Sequence, residues 1–286
     1  MKPREFVWLN GKLAPLSRAR VSVEDRGFLY GDGFFETLRA EEGRVHFLTE
    51  HLGRLKDSAR AFGIPFPDLP WEALMSELLH ANGLEEGLAR VKILLSRGPA
   101  AGLGLPAAPR PTVVIWGRAY APPSPLEYAA GWPVVTFPQG RTTFVGGHKS
   151  LNYLFYLAAR QYALDRGAKE AVILEADGRI SEGAATSLLY FRKGRYLTPD
   201  AASALPGVTL AVLARALARQ GHEFRAAPTT PAQLAAADGL WLLNSLMGVM
   251  PAASLDGKAL PVNPATPFLQ EILAAESMVG PEAAKI

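Results

Sequence analysis

Between residues 171 and 198 the chain passes through three short apolar runs, 171–175, 179–191 and 195–198, separated by Ala176-Asp177-Gly178 and Arg192-Lys193-Gly194. Short runs bounded by such turn signals read as strands that double back. The middle run is long for one strand and is expected to break at Gly183, where no side chain is available to pack. A sheet must therefore dominate this part of the chain. Around it lie a strand at 134–137, a helix at 152–165, and a helix at 208–220 opened by a Pro206-Gly207 turn and stopped by Gly221. A strand at 223–227, a short helix at 231–237 and an apolar strand at 239–243 leading into Asn244-Ser245 follow.

The first part of the chain has a different grammar. Asn10-Gly11, flanked by apolar runs at 6–9 and 12–13, is a strong hairpin signal. Asp32-Gly33 introduces another run at 34–38. Leu48, Leu52, Leu55, Ala59 and Phe62 then repeat at helical intervals, ended by Gly63 and Pro65. A second helix is predicted over 71–82, then strands at 90–96 and 112–116. Strands with two helices packed on them make an α+β unit. Residues 118–131 hold Pro122, Pro123 and Pro125 without periodicity, so the expected division is a small domain at 1–118, a linker at 119–131 and a larger domain at 132–286.

Composition narrows the functional classes. A chain of 286 residues, 49% hydrophobic and 20% charged, is globular with a sizeable core. A dispersed net charge of +3 gives no footprint for nucleic acid or an anionic membrane. The absence of cysteine removes disulfides, thiolate metal sites and thiol nucleophiles, and five histidines without ligand spacing offer no metal site. Met1-Lys2-Pro3-Arg4-Glu5 lacks an apolar signal segment, and no stretch has the roughly 20 apolar residues of a membrane span. A cytoplasmic protein is expected.

Chemistry gathers at a few places. Lys149 follows Gly146-Gly147-His148 and precedes the helix expected from 152; glycines there allow close backbone approach, and a lysine kept neutral is an amine nucleophile. Tyr153, read as one helical turn beyond Lys149, is expected on the same face. Glu182 lies beside Gly183 in an apolar strand region, where a fixed carboxylate can pair with a cationic ring nitrogen. Gly207-Val208-Thr209 would present backbone N–H groups to an anion at a helix N-terminus. Arg54, off the apolar stripe of its helix, reads by itself as a solvated arginine, and Ser245 at a strand end reads as a turn residue.

Taken in order, Lys149-Ser150-Leu151-Asn152-Tyr153-Leu154, Ser181-Glu182-Gly183 and Leu205-Pro206-Gly207-Val208-Thr209 resemble the motifs of the class IV enzymes, the D-amino-acid and branched-chain aminotransferase type, which use pyridoxal 5′-phosphate. The resemblance spans Phe6 to about Ala253. It implies a two-domain D-amino-acid-aminotransferase-like fold: a small α+β domain, and a larger one with a β-barrel-like sheet core flanked by helices. Within the family the chain is most similar to the lyases acting on 4-amino-4-deoxychorismate, through the run from Asp25 to Thr37, Val91 to Gly98, and Asn244-Ser245-Leu246-Met247-Gly248-Val249-Met250-Pro251. It departs from them at Ser187, where many relatives have asparagine, and at Leu103, where lyases often carry arginine.

The resemblance implies that Lys149 holds the cofactor covalently and acts as mobile acid/base, that Glu182 pairs with the pyridine nitrogen, and that Tyr153 bonds the phenolic oxygen. Arg54, Gly207, Val208, Thr209 and Ser245 are implied at the phosphate. Tyr30, Phe35, Lys92, Arg97 and Met247 are candidates for the substrate pocket. A small amine or amino-acid substrate and a homodimer are implied as partners.

Overall fold

The protein is described here by a computed structural model covering residues 5–107 and 110–278. It divides into two compact units, one of Met1–Ala121 with His148–Asn152, the other of Pro122–Gly147 with Tyr153–Ile286. The division at 121/122 lies within the expected linker, but that linker is not irregular chain. Its first residue ends a strand, and α4 (Pro125–Ala130) occupies its second half. Ser124 and Glu127 close a reciprocal capping box around Pro125, so the prolines initiate a helix instead of preventing one. A second correction concerns Lys149. Five residues around it leave the C-terminal unit and belong to the N-terminal one.

In the first unit β1 (Phe6–Leu9) and β2 (Lys12–Pro15) form the hairpin expected at Asn10-Gly11, with both turn residues at positive φ. After α1 (Arg26–Tyr30) come β3 (Gly33–Glu41), β4 (Arg44–Val45), α2 (Leu48–Ala61), α3 (Trp71–Ala81), β5 (Leu88–Ser96) and β6 (Thr112–Ala119). The six strands pair in the order β2-β1-β6-β5-β3-β4, every pair antiparallel. Side chains alternate across such a sheet. Phe34, Leu38, Val91, Ile93, Leu95 and Ile115 point into a core closed by Leu55 and Ala59 of α2 and Met75, Leu78 and Leu79 of α3.

In the second unit the order is α4, β7 (Trp132–Thr136), α5 (Leu154–Leu164), β8 (Glu170–Leu174), β9 (Ile180–Gly183), β10 (Ser187–Arg192), β11 (Arg195–Pro199), α6 (Val208–Arg219), β12 (Phe224–Ala227), α7 (Pro231–Ala235), β13 (Gly239–Asn244), β14 (Gly248–Leu255), β15 (Lys258–Ala259) and α8 (Thr266–Met278). Eight strands pair as β12-β11-β10-β13-β14-β7-β8-β9, with β15 added beside β14. The run 179–191 breaks after Gly183 as expected. Ile180 N–H donates to Thr229 C=O just beyond β12, so the two edge strands of this sheet approach each other, which is the curling that the barrel-like expectation required. Its interior carries Val172, Leu188, Leu240, Leu242 and Met250, and the Trp241 indole N–H reaches Thr266 Oγ1 on α8 at 2.9 Å. No helix of the described residues is long and apolar enough to cross a membrane.

One side chain on the core face of β3 is charged. Glu36 shares the inward alternation of Phe34 and Leu38 and is fully buried. An isolated carboxylate there would be prohibitive, and α2 supplies its partners. His51 Nδ1 lies 2.7 Å from Oε2, while Arg54 donates Nε to Oε1 at 2.8 Å and Nη2 to Oε2 at 2.6 Å. Burial pushes the Glu36 carboxyl up, but the hydrogen bonds from His51 and Arg54 outweigh it and hold the group at about 2, from an ordinary 4.5. Burial in turn lowers the His51 pKa, so the ring is neutral near pH 7 and donates Nδ1–H.

A carboxyl that binds its proton more weakly when folded contributes stability above its unfolded pKa and loses it as pH falls through the folded value. Chemical denaturation should therefore show a steep loss of stability between about pH 4.5 and 2, of order 3 kcal/mol. Glu36→Gln should flatten that limb and lower stability at pH 7 by about 3 kcal/mol, since it leaves Arg54 without its counter-charge. An unchanged acid limb in the variant would remove Glu36 from this account.

Candidate active site

Lys149 does not precede a helical face. Residues 148–152 form a bent, non-helical strap beside the start of β3: Phe35 N–H donates to Lys149 C=O at 2.8 Å, Leu151 N–H donates to Gly33 C=O at 2.9 Å, and Ser150 bridges Phe34. His148 Nδ1 lies 2.9 Å from Ser58 Oγ on α2, its ring packed between Phe34 and Phe62, and Asn152 Nδ2 donates to Gly31 C=O at 2.9 Å. Each residue of the motif thus has a separate tie, and the lysine backbone is held on a strap beside the sheet. The helix expected from 152 starts at Leu154 with Tyr153 as its N-cap, so the helical-turn relation between Lys149 and Tyr153 is incorrect. The sheet's claim on 149–151 overrides the helical pattern. Gly146 is needed not for a ligand but for the chain itself, since a Cβ there would stand 2.3 Å from Ser203 C=O.

The outer face of the same sheet carries cations. Phe35 is buried, with Lys149 Nζ 4.8 Å and Lys92 Nζ 4.3 Å from its ring centroid. Burial lowers the Lys92 pKa and neighbouring Arg90 adds to the shift. Thr37, Lys92 and Trp116 stand in one cross-strand row, Arg39, Arg90 and Arg118 in the next, and Trp116 lies under both Arg90 and Arg118. Arg39 and Arg90 were not singled out from sequence, although period-two alternation with Lys92 places Arg90 on that face. Arg97 lies elsewhere. Its side chain is fully buried, and it spends its N–H groups on Asp32 and on the carbonyls of Phe62, Gly63 and Pro106. It is a structural tie, neither solvated nor free for a substrate. Tyr30 is half exposed at the end of α1, with the Arg26 guanidinium 4.9 Å from its ring.

In the second unit, Glu182 is buried on β9. Its Oε1 accepts from Tyr156 OH at 2.6 Å and its Oε2 from Leu205 N–H at 3.1 Å. Tyr153 stacks on Tyr156 with centroids 5.0 Å apart and donates its hydroxyl to Ala184 C=O at 3.1 Å. Burial, then the Glu182 and Glu170 charges, push the Tyr153 pKa well up, so the phenol keeps its proton. Gly207 caps α6 without a side-chain bond, and a Cβ on it would meet Ser187 Oγ at 2.2 Å. The serine that departs from the family pattern therefore stands against the helix N-terminus. Ser245 sits in the turn organised by Asn244 Oδ1, which accepts from Leu246 and Met247 N–H. Met247 is buried in the apolar interior, its C=O held by Tyr128 OH at 2.6 Å.

These donors suit a phosphorylated pyridine. Val208 and Thr209 are buried at the first turn of α6, and Thr209 Oγ1 has no hydrogen-bond partner among the described residues. A buried hydroxyl left so is unfavourable, and a phosphate oxygen at the helix N-terminus would satisfy it. Glu182 is a buried carboxylate of the kind that would pair with a protonated ring nitrogen. Thr209→Val preserves shape and removes the orphan group. Without cofactor its melting temperature should equal or exceed the parent's, while pyridoxal 5′-phosphate should bind about tenfold more weakly. Unchanged affinity would show that the hydroxyl serves only the core.

The sequence profile "Amino-transferase class IV" matches residues 33–255. The chain is 32% identical over 261 residues to the putative branched-chain-amino-acid aminotransferase of Methanocaldococcus jannaschii, covering 89% of each. It is 27% identical to the aminodeoxychorismate lyase of Vibrio harveyi, over 87% of this chain and 90% of that one. The branched-chain aminotransferase of Thermoproteus uzoniensis, solved with norvaline, superposes with a TM-score of 0.87 at 25% identity, covering 96% of this chain and 97% of that one. The expected fold is that of these enzymes. This chain belongs to the class IV aminotransferase family, whose members use pyridoxal 5′-phosphate.

Proposed function

We propose that the protein is a cytoplasmic pyridoxal-phosphate enzyme of the lyase branch, converting 4-amino-4-deoxychorismate to 4-aminobenzoate and pyruvate. When bound, the cofactor supplies an electron sink for the carbon that carries the substrate amine. Lys149 is its covalent anchor and the base that takes the proton from that carbon. Glu182 balances the ring nitrogen, Tyr153 serves the phenolic oxygen, and Arg54, Val208, Thr209 and Ser245 hold the phosphate. Glu36 fixes the plane of Arg54 in advance. Loss of the proton lets the substrate expel its enolpyruvyl group as pyruvate, and aromatisation of the ring drives the step.

The row of cations beyond Phe35 carries this reading. Lys92 shares the Phe35 ring with Lys149, and Arg90 and Arg39 extend the positive face along the sheet. Such a face suits a substrate whose carboxylates lie across a ring from the amine carbon. A second reading, transamination of branched-chain L-amino acids, D-amino acids or (R)-amines to 2-oxoglutarate or pyruvate, is favoured by the name of the 32%-identical relative. It uses the same cofactor contacts. The exposed apolar side chains of Val23, Phe28, Leu103 and Leu105 are surface that a second copy would cover, which supports a homodimer.

Aminodeoxychorismate supplied alone should yield pyruvate and 4-aminobenzoate, and Lys149→Ala should abolish turnover. Product formed only when a keto acid is present, with D-alanine, a branched-chain amino acid or (R)-1-phenylethylamine as donor, would replace the lyase by the aminotransferase. Activity that survives Lys149→Ala would overturn both.

A further inference from the structure

Behind Glu182 stands a second layer of polar groups. Tyr156, on the first turn of α5, donates its hydroxyl to Glu182 Oε1 at 2.6 Å, and Arg141 Nη2 donates to that same hydroxyl oxygen at 3.1 Å. The Arg141 guanidinium lies 4.4 Å from the Phe155 ring centroid and 4.6 Å from that of Tyr156, so it is stacked in place, not free in solvent. We propose that Tyr156, backed by Arg141, is a positioning residue that keeps Glu182 anionic and so keeps the proton on the nitrogen of a bound pyridine ring. This rests on the cofactor assignment above.

The chemistry follows from donor direction. Burial and then the Glu182 charge hold the Tyr156 phenol protonated, so it is a permanent donor to the carboxylate. Arg141, giving a hydrogen bond to the phenol oxygen, polarises the O–H further towards Glu182. Leu205 N–H adds a donor at the other oxygen. Among the described residues this neighbourhood also holds Glu170, fully buried and 3.5 Å from Arg160, and the neutral Tyr153 phenol, which is turned to Ala184 C=O. Two donors and a cation on its far side make Glu182 a weak base, and a proton shared with a ring nitrogen stays on the ring. Without the Tyr156 hydroxyl the carboxylate would gain basicity, and with a pyridine ring bound Glu182 would hold the shared proton itself. A bound ring without that proton would withdraw electrons less, and a Lys149 nitrogen attached to it would be more basic.

The test uses purified enzyme loaded with pyridoxal 5′-phosphate and a pH titration of its visible band. Tyr156→Phe should raise the pH midpoint of that band by about one unit, with kcat down about tenfold and KM little changed. Arg141→Gln should move the midpoint the same way by less. A folded, loaded Tyr156→Phe with the parent midpoint would overturn the proposal. If that variant does not fold, an unshifted midpoint in Arg141→Gln overturns it equally. Parent protein that stays colourless with the cofactor, with no band for borohydride to remove, would instead sink the cofactor assignment, and this proposal with it.

Discussion

The pairing of residues 149–151 with the start of β3 is the constraint on which the chemistry depends. Two backbone hydrogen bonds and the bridge at Phe34 and Ser150 seat Lys149 on the N-terminal unit, while its neighbours at 147 and 153 belong to the other. A lysine on a free loop would sample many positions and lose the advantage of a fixed reacting group. Here its backbone is fixed by a sheet, and His148, Ser150 and Asn152 each add a side-chain anchor. The motif around the lysine is therefore mostly a set of ties.

The same economy governs the buried charges. Glu36 is held by His51 and Arg54. Asp32 Oδ2 is shared by Arg26 and Arg97. Glu175 takes hydroxyls from Thr142, Ser181 and Ser203. Each carboxylate ties segments far apart in sequence. Arg26, for instance, goes on to clasp the carbonyls of Gly102 and Gly104, which holds the loop bearing Leu103. The position where lyases often carry arginine is thus on a restrained loop whose side chain is almost fully exposed. Under the proposed function, the cation row of β3 and β5 would have to supply the charge that Leu103 lacks.

Much of this was legible in the residues because the signals were local. Asn10-Gly11, the periodic leucines of α2, and the turns at 177–178 and 193–194 each carry their own geometry, and each element formed where it was expected. What could not be read depended on partners distant in sequence. The start of α5 was misplaced because β3 captures residues 149–151. Nothing in the sequence around Arg54 reveals that Glu36 engages it, and nothing around Arg97 reveals the carbonyls that claim its N–H groups. Two omissions had signals. Ser124-Pro125-Leu126-Glu127 is a capping box that announces α4, and Leu269 with Leu273 marks the buried side of α8.

The distribution of these groups bears on how one scaffold supports more than one reaction. Residues assigned to the cofactor sit on elements that other parts of the fold already need: the strap on β3, the first turn of α6, the buried strand β9. Altering most of them disturbs packing or a buried charge, so the sequence has little freedom there. The outer face of β3, β5 and β6 is different. Thr37, Lys92 and Trp116, and Arg39, Arg90 and Arg118, project from strands whose inward neighbours alone carry the core. Substituting them exchanges one half-exposed side chain for another, at small expense in stability. Side chains along that face can therefore change while the core beneath them and the backbone of Lys149 stay as they are. Under the proposed function, the elimination and amino-acid-transfer readings would differ in what that face meets: a carboxylate held across a ring, or one on the amine carbon itself.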